Sequence, residues 1–232
     1  DTLPISSHHV VVDQPAITLT LNANTNAIVQ SLNTTERVDF SSGTFTVANS
    51  VSFPQGIDIS GGTLAAAGII TLPTVSVNTW TAGQVGLAGY GTIMQNYGTL
   101  TFSGASSRNL QNATFHNPGV FHQTDGQLVI NNSTFNNGGT YNLQGASSNP
   151  AITTTSGAFN NSGVFNDTMT GTHGVSGSFS NSGGLSIAAG TFQLPGGNSH
   201  AGVFSVGSGA TLEIGSGTSV VGGAISGAGS VV

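Results

Sequence analysis

A short phrase recurs down this chain, and repetition at a fixed step constrains architecture more than any other sequence feature. The phrase runs aromatic, any residue, Asn, any residue, Gly, any residue, apolar. It reads Phe115-His-Asn117-Pro-Gly119-Val-Phe121, then Phe135-Asn-Asn137-Gly-Gly139-Thr-Tyr141. It returns as Phe159-Asn-Asn161-Ser-Gly163-Val-Phe165 and Phe179-Ser-Asn181-Ser-Gly183-Gly-Leu185. A looser copy, Met94-Gln-Asn96-Tyr-Gly98-Thr-Leu100, comes before, and a decayed one, Asn198-Ser-His200-Ala-Gly202-Val-Phe204, comes after. The marker glycines are separated by 21, 20, 24, 20 and 19 residues. Upstream, Val38-Asp39-Phe40-Ser-Ser-Gly43-Thr-Phe45 is repeated 19 residues later as Ile57-Asp58-Ile59-Ser-Gly-Gly62-Thr-Leu64.

Between markers the residues alternate apolar and polar over short runs such as Leu100-Thr-Phe102 and Leu185-Ser-Ile187. Period-two runs bounded by Gly, Asn and Ser are short half-buried strands, and no window carries a helical period. The expected fold is all-β: a parallel β-solenoid of about eleven coils with roughly 20 residues per coil, stacked ~4.8 Å apart into a rod on the order of 50 Å long. Stacking puts equivalent side chains directly above one another. Phe115, Phe135, Phe159 and Phe179 should then form one internal stack, continued by Met94. Phe121, Tyr141, Phe165, Leu185 and Phe204 should form a second.

Asn96, Asn117, Asn137, Asn161 and Asn181 each lie two residues before a marker glycine. Asn tolerates left-handed backbone at a turn, and its amide can bond copies above and below it, so five in register predict an amide ladder. A surface asparagine retained for solubility is the plainer alternative. The marker glycine is expected to supply a positive φ or a close approach between coils.

Residues 1–42 hold no glycine and are expected to form the first coils and an N-terminal cap, with residues 43–232 making one continuous solenoid. The 24-residue step implies about four inserted residues, placed by turn chemistry at Ala146-Ser-Ser-Asn-Pro150. The start at Asp1 fits a mature protein after signal removal or an excised fragment. Repeat-like sequence continues to Val232, leaving an edge expected to stack on another copy end to end or to continue into a longer surface protein.

Composition narrows the partners. Only 4% of residues are charged, none is Lys, and Arg37 and Arg108 are the two basic residues. A hydrophobic fraction of 37% with twelve Phe argues against disorder, so solubility falls to Ser, Thr and Asn. A net charge of −6 gives no footprint for nucleic acid and no polybasic membrane contact. No apolar run reaches the length of a spanning helix, so no membrane insertion is expected. Without Cys there is no disulfide framework.

Asn-Ser-Gly-Val-Phe at 161–165, Gly-Thr-Leu-Thr-Phe at 98–102, Ile-Ser-Gly-Ala-Gly-Ser-Val at 225–231 and Thr79-Trp80-Thr-Ala-Gly83 resemble the repeats of bacterial Gly/Asn-rich extracellular β-solenoid proteins. These include autotransporter-like and filamentous-haemagglutinin-like adhesins. The resemblance spans nearly the whole chain as repeat style, and it implies a pectin-lyase-like right-handed parallel β-helix at the cell surface or outside the cell.

The same architecture serves polysaccharide-cleaving enzymes, which need paired carboxylates. Asp39 and Asp58 are the one acidic pair at the coil step, on one outward column, where like-charge repulsion should raise one pKa and Arg37 could relieve it. A solvated pair, an ion bridge or a modest calcium contact is the plainer reading of these two residues. The six histidines show no third ligand for a metal, and no cofactor is expected. Thr-x-Thr pairs do not recur coil after coil, so no flat threonine array is expected. Trp80 follows the apolar alternation Val75, Val77 and is expected to be buried rather than offered to a sugar. The function expected is a non-enzymatic extracellular structural or adhesive solenoid, self-assembling or part of a larger protein. A carbohydrate-active enzyme or glycan-binding module, with glycans as partners, is the alternative.

Overall fold

A computed structural model describes residues 5–14, 17–21, 26–146, 148–216 and 219–232. Among them there is no helix; short strands pair in parallel, each with its counterpart one coil on. The chain is a β-solenoid of about eleven turns with roughly 20 residues per turn. The first face is built from Thr18–Leu21, Arg37–Phe40, Thr99–Phe102, Val120–Gln123, Thr140–Leu143, Val164–Asp167, Gly184–Ile187, Val203–Val206 and Ile225–Gly227. Two long strands, Ile57–Ala66 and Val77–Val85, begin on this face and bend onto the second, with register shifts between Trp80 and Gln84 marking the corner. The second face continues through Arg108–Gln111, Leu128–Asn131, Ile152–Thr155, Thr172–Ser176, Thr191–Leu194 and Thr211–Ile214. The third carries Ile69–Leu72, Thr92–Asn96, Ala113–Asn117, Thr134–Asn137, Ala158–Asn161 and Phe179–Asn181.

Period-two alternation sorts each strand cleanly, since successive side chains point to opposite faces. On the first face Leu19, Val38, Ile57, Asn78, Leu100, Phe121, Tyr141, Phe165, Leu185, Phe204 and Ile225 form one inward column in register. The outward column beside it runs Thr20, Asp39, Asp58, Thr79, Thr101, His122, Asn142, Asn166, Ser186, Ser205 and Ser226. Threonines occur there but do not fill it, so no flat threonine array forms.

Both aromatic stacks are present. Phe115, Phe135 and Phe159 stack nearly parallel at 4.7 and 4.8 Å between centroids, and Phe179 follows at 5.5 Å. Phe121, Tyr141 and Phe165 stack at 4.9 and 4.8 Å. Across the core the two columns meet edge to face, as in Phe121 against Phe135 at 5.3 Å and 88°. The coil rise thus sets offset stacking along the axis, and the quadrupole-favoured T arrangement falls across it. Trp80 is fully buried and meets Phe102 edge-on.

The insertion lies where turn chemistry placed it: eight residues, 144–151, separate Leu143 from Ile152, against four between Gln123 and Leu128. The opening strands Thr18–Leu21 and Asn26–Val29 pair in register with the next coil and extend the first and second faces, whereas His9–Val12 pairs with Ser31–Thr34 in a separate two-stranded sheet.

One expectation needs correction, and one pair of alternatives is decided. The ladder asparagines do not take left-handed backbone; among the described residues the non-glycine positions with positive φ are Asn112, Asn132 and Ser156, at a different corner. The marker glycines Gly98, Gly119, Gly139, Gly163, Gly183 and Gly202 do not have positive φ either. They are needed for close approach. A Cβ on Gly119, Gly139, Gly163, Gly183 or Gly202 would collide with the carbonyl oxygen of the marker glycine one coil earlier. That carbonyl accepts the N–H of the residue after the marker, as from Thr140 to Gly119 at 2.9 Å, so neither backbone can retreat.

Candidate functional site

The asparagine column is a buried chain of amides. Asn96 Nδ2 donates to Asn117 Oδ1 at 2.8 Å, and Asn117 to Asn137, Asn137 to Asn161 and Asn161 to Asn181 each follow at 2.7 Å. Each of these four Nδ2 groups also donates to a backbone carbonyl near the following turn: Val120, Thr140, Val164 and Gly184. All five residues are buried, so the ladder satisfies corner carbonyls that water does not reach. Its amide dipoles run head to tail, an arrangement in which each bond polarises the next. The chain ends unsatisfied: Asn96 Oδ1 and Asn181 Nδ2 have no partner. His200 occupies the next position in the column, buried, with neither ring nitrogen bonded. Burial without a partner pushes its pKa below the usual 6.5.

Asp39 and Asp58 are paired in register on the outward column, as their spacing implied. Arg37 resolves their repulsion by choosing one of them. Its Nε and Nη2 donate to Asp58 Oδ2 and Oδ1 at 2.6 and 2.5 Å, a bidentate clamp, and Thr79 Oγ1 donates to Asp58 Oδ1 at 2.6 Å. Asp39 accepts from Ser60 Oγ at 3.2 Å. Burial tends to raise the Asp58 pKa, but the Arg37 and Thr79 hydrogen bonds and the Arg37 charge outweigh it and hold the carboxyl below its usual value. Asp58 therefore shows no rise, and Arg37 supplies the relief its position implied. A carboxyl held this way by a guanidinium is an ion pair, and Asp58 is poorly suited to act as a general acid.

Three buried polar groups escaped the sequence reading. Asp167 occupies an inward position between Leu143 and Ile187, and both its oxygens lie 2.8–2.9 Å from His173 Nε2, with both residues buried. Arg108 fills a core position in register with Leu128, its guanidinium 4.7 Å over the Phe102 ring and donating to the carbonyls of Thr81, Gly104 and Ser106. Gln123 accepts the Tyr141 hydroxyl and donates to the carbonyls of Gly126 and Ala151, while burial pushes the Tyr141 phenol well up. The only sequence signal for these was an ionisable or amide residue at an inward-phase position. Among the described residues no group of three or more His, Cys, Asp or Glu is placed to hold a metal ion.

The third face carries a shallow groove of about 370 Å³ lined by Gln95, Tyr97, His116, Pro118 and Asn136, together with Asn117, Gly138 and Ser162. Tyr97 stands 43% exposed between the ladder residue Asn96 and the marker Gly98, and its hydroxyl donates to Gln95 Oε1 at 3.2 Å. No family model matches the chain, and neither a curated protein nor a solved structure is detectably similar to it.

Proposed function

We propose that this chain is a non-enzymatic structural or adhesive rod that works outside the cell or at its surface, either as part of a longer surface protein or stacked end to end. The observation that carries the proposal is the continuity of its interior. Aromatic stacks and the amide ladder pass without interruption through at least four successive coils, and each coil meets mainly its neighbours. Such a stack is a quasi-one-dimensional scaffold whose rigidity grows by repetition. Polar outward columns of Thr, Asn and Ser keep it soluble with few ions, a composition suited to an exported surface protein. The strand Ile225–Gly227 still pairs in parallel register with Val203–Val206, so the same coil-on-coil match that builds the rod is kept there.

Electron microscopy of the purified chain is the direct test. Filaments with a repeat on the order of 50 Å support end-to-end stacking, whereas separated short rods favour a spacer or an enzyme. Release of new reducing ends from a polysaccharide, abolished by the double change Asp39→Asn and Asp58→Asn, would overturn it.

A further inference from the structure

The outward column of the third face runs Thr71, Gln95, His116, Asn136, Asn160 and Ser180, one polar side chain per coil. Part of its capacity is used internally: Asn160 Nδ2 donates to Asn136 Oδ1 at 3.0 Å, and Ser180 Oγ donates to Asn160 Oδ1 at 2.8 Å. Gln95 Oε1 accepts from Tyr97. That leaves Gln95 Nε2, Asn136 Nδ2 and the His116 ring turned outward with no protein partner among the described residues. Beside them stand the Tyr97 ring and the Pro118 ring, at equivalent positions of successive coils. Tyr97 is the only aromatic among the large apolar side chains that the described residues expose. All twelve Phe, Trp80 and Tyr141 are buried and Tyr90 is half-buried, so Tyr97 is the aromatic that contributes least to the core.

We infer that the Tyr97 groove binds a neutral, extended oligosaccharide running along the solenoid axis. A pyranose offers apolar C–H faces and hydroxyl-bearing edges. An aromatic ring with a polar rim of amides and imidazole, each able to donate and accept, complements both. The coil rise of ~4.8 Å is close to the length of one sugar in an extended chain, so consecutive sugars meet Gln95, His116 and Asn136 in turn. No carboxylate, Lys or Arg lines the groove, and the chain carries −6, so an anionic polysaccharide is disfavoured. This inference rests on the adhesive reading and supplies its ligand class.

Isothermal titration of the full chain with cellohexaose, mannohexaose and N-acetylchitohexaose, with hexagalacturonate as the anionic comparison, tests it. At least one neutral hexasaccharide should bind with sub-millimolar Kd, and Tyr97→Ala should weaken it by about tenfold or more. The double change Gln95→Ala and Asn136→Ala should do the same, whereas Tyr90→Ala should leave affinity unchanged. Circular dichroism confirms that each variant keeps its β fold. Binding to none of the neutral sugars, preference for hexagalacturonate, or indifference to Tyr97→Ala overturns the site. Beads carrying the chain separate this from the adhesive reading. If Tyr97→Ala beads cling undiminished to polysaccharide particles, the groove is wrong and adhesion stands. If wild-type beads cling to no surface while the hexasaccharide still binds, adhesion is wrong and the groove stands.

Discussion

Replacing His200 by Asn should stabilise the rod and flatten the acid side of its stability profile. His200 sits buried below Asn181 at the ladder position, and three polar atoms there lack partners: Asn181 Nδ2 and both ring nitrogens. In His200→Asn the new amide oxygen can accept from Asn181 at the ladder distance, 2.7 Å in the preceding step. That adds a hydrogen bond of about 1 kcal/mol and removes one or two orphaned groups at about 1–3 kcal/mol each. Against this stands the loss of the imidazole, which packs 5.9 Å from Phe179 and 5.6 Å from Phe204. Those ring contacts and the smaller volume cost about 1–2 kcal/mol. With the relieved groups together at the low end, about 2 kcal/mol, the net gain is about 1–2 kcal/mol, which raises Tm by roughly 2–8 °C in a domain of this size. The pH dependence gives a second, independent readout. The folded pKa of His200 lies below 6.5, so its neutral form is fully compatible with folding above that value, and stability drains away as pH falls through the folded pKa. One such proton contributes at most about 1.4 kcal/mol per pH unit, and the variant lacks that contribution. Thermal unfolding followed by circular dichroism from pH 8 down to pH 5 measures both. A lower Tm at neutral pH, or acid limbs that superimpose for the two proteins, would refute the reasoning.

Other substitutions test the same physics. Asn137→Ala removes the bonds donated to Asn161 and Val164, a longer one to Gly139 and the one accepted from Asn117, and should cost about 3 kcal/mol, whereas Asn160→Ala on the outward column should stay within about 0.5 kcal/mol; denaturant titration compares them. Gly183→Ala forces a Cβ into the Gly163 carbonyl and should lower Tm by several degrees, while the neighbouring Gly184→Ala meets nothing within 4 Å and should be neutral or slightly stabilising. Asp58→Asn should lose about 1 kcal/mol or less at pH 7, because the Arg37 pair is 32% and 28% exposed. Its folded pKa lies below 3.8, so that contribution is present above this value and vanishes as the wild type is acidified through the folded pKa.

The repeat was legible because a solenoid converts sequence spacing directly into spatial neighbourhood. Asn117 and Asn137 lie 20 residues apart, and their amides bond at 2.7 Å, just as register alone requires. Their left-handed backbone was misjudged because propensity describes an isolated turn, while here Asn112 and Asn132 fill that conformation at another corner. Arg108 and Asp167 were not placed because a charged residue in the inward phase reads as a decayed repeat until its buried partners are known.

What the sequence by itself determined is the one-dimensional part of this protein: the coil, its register, the inward and outward columns and the stacks that follow from them. Only the tertiary structure decided which of two in-register carboxylates Arg37 would hold, that His173 would meet Asp167 in the core, and that Tyr97 would stand in the open. Stacking couples residues one coil apart, and a repeat step records that coupling. Contacts across corners and across the core depend on coil lengths and rotamers that no single step encodes.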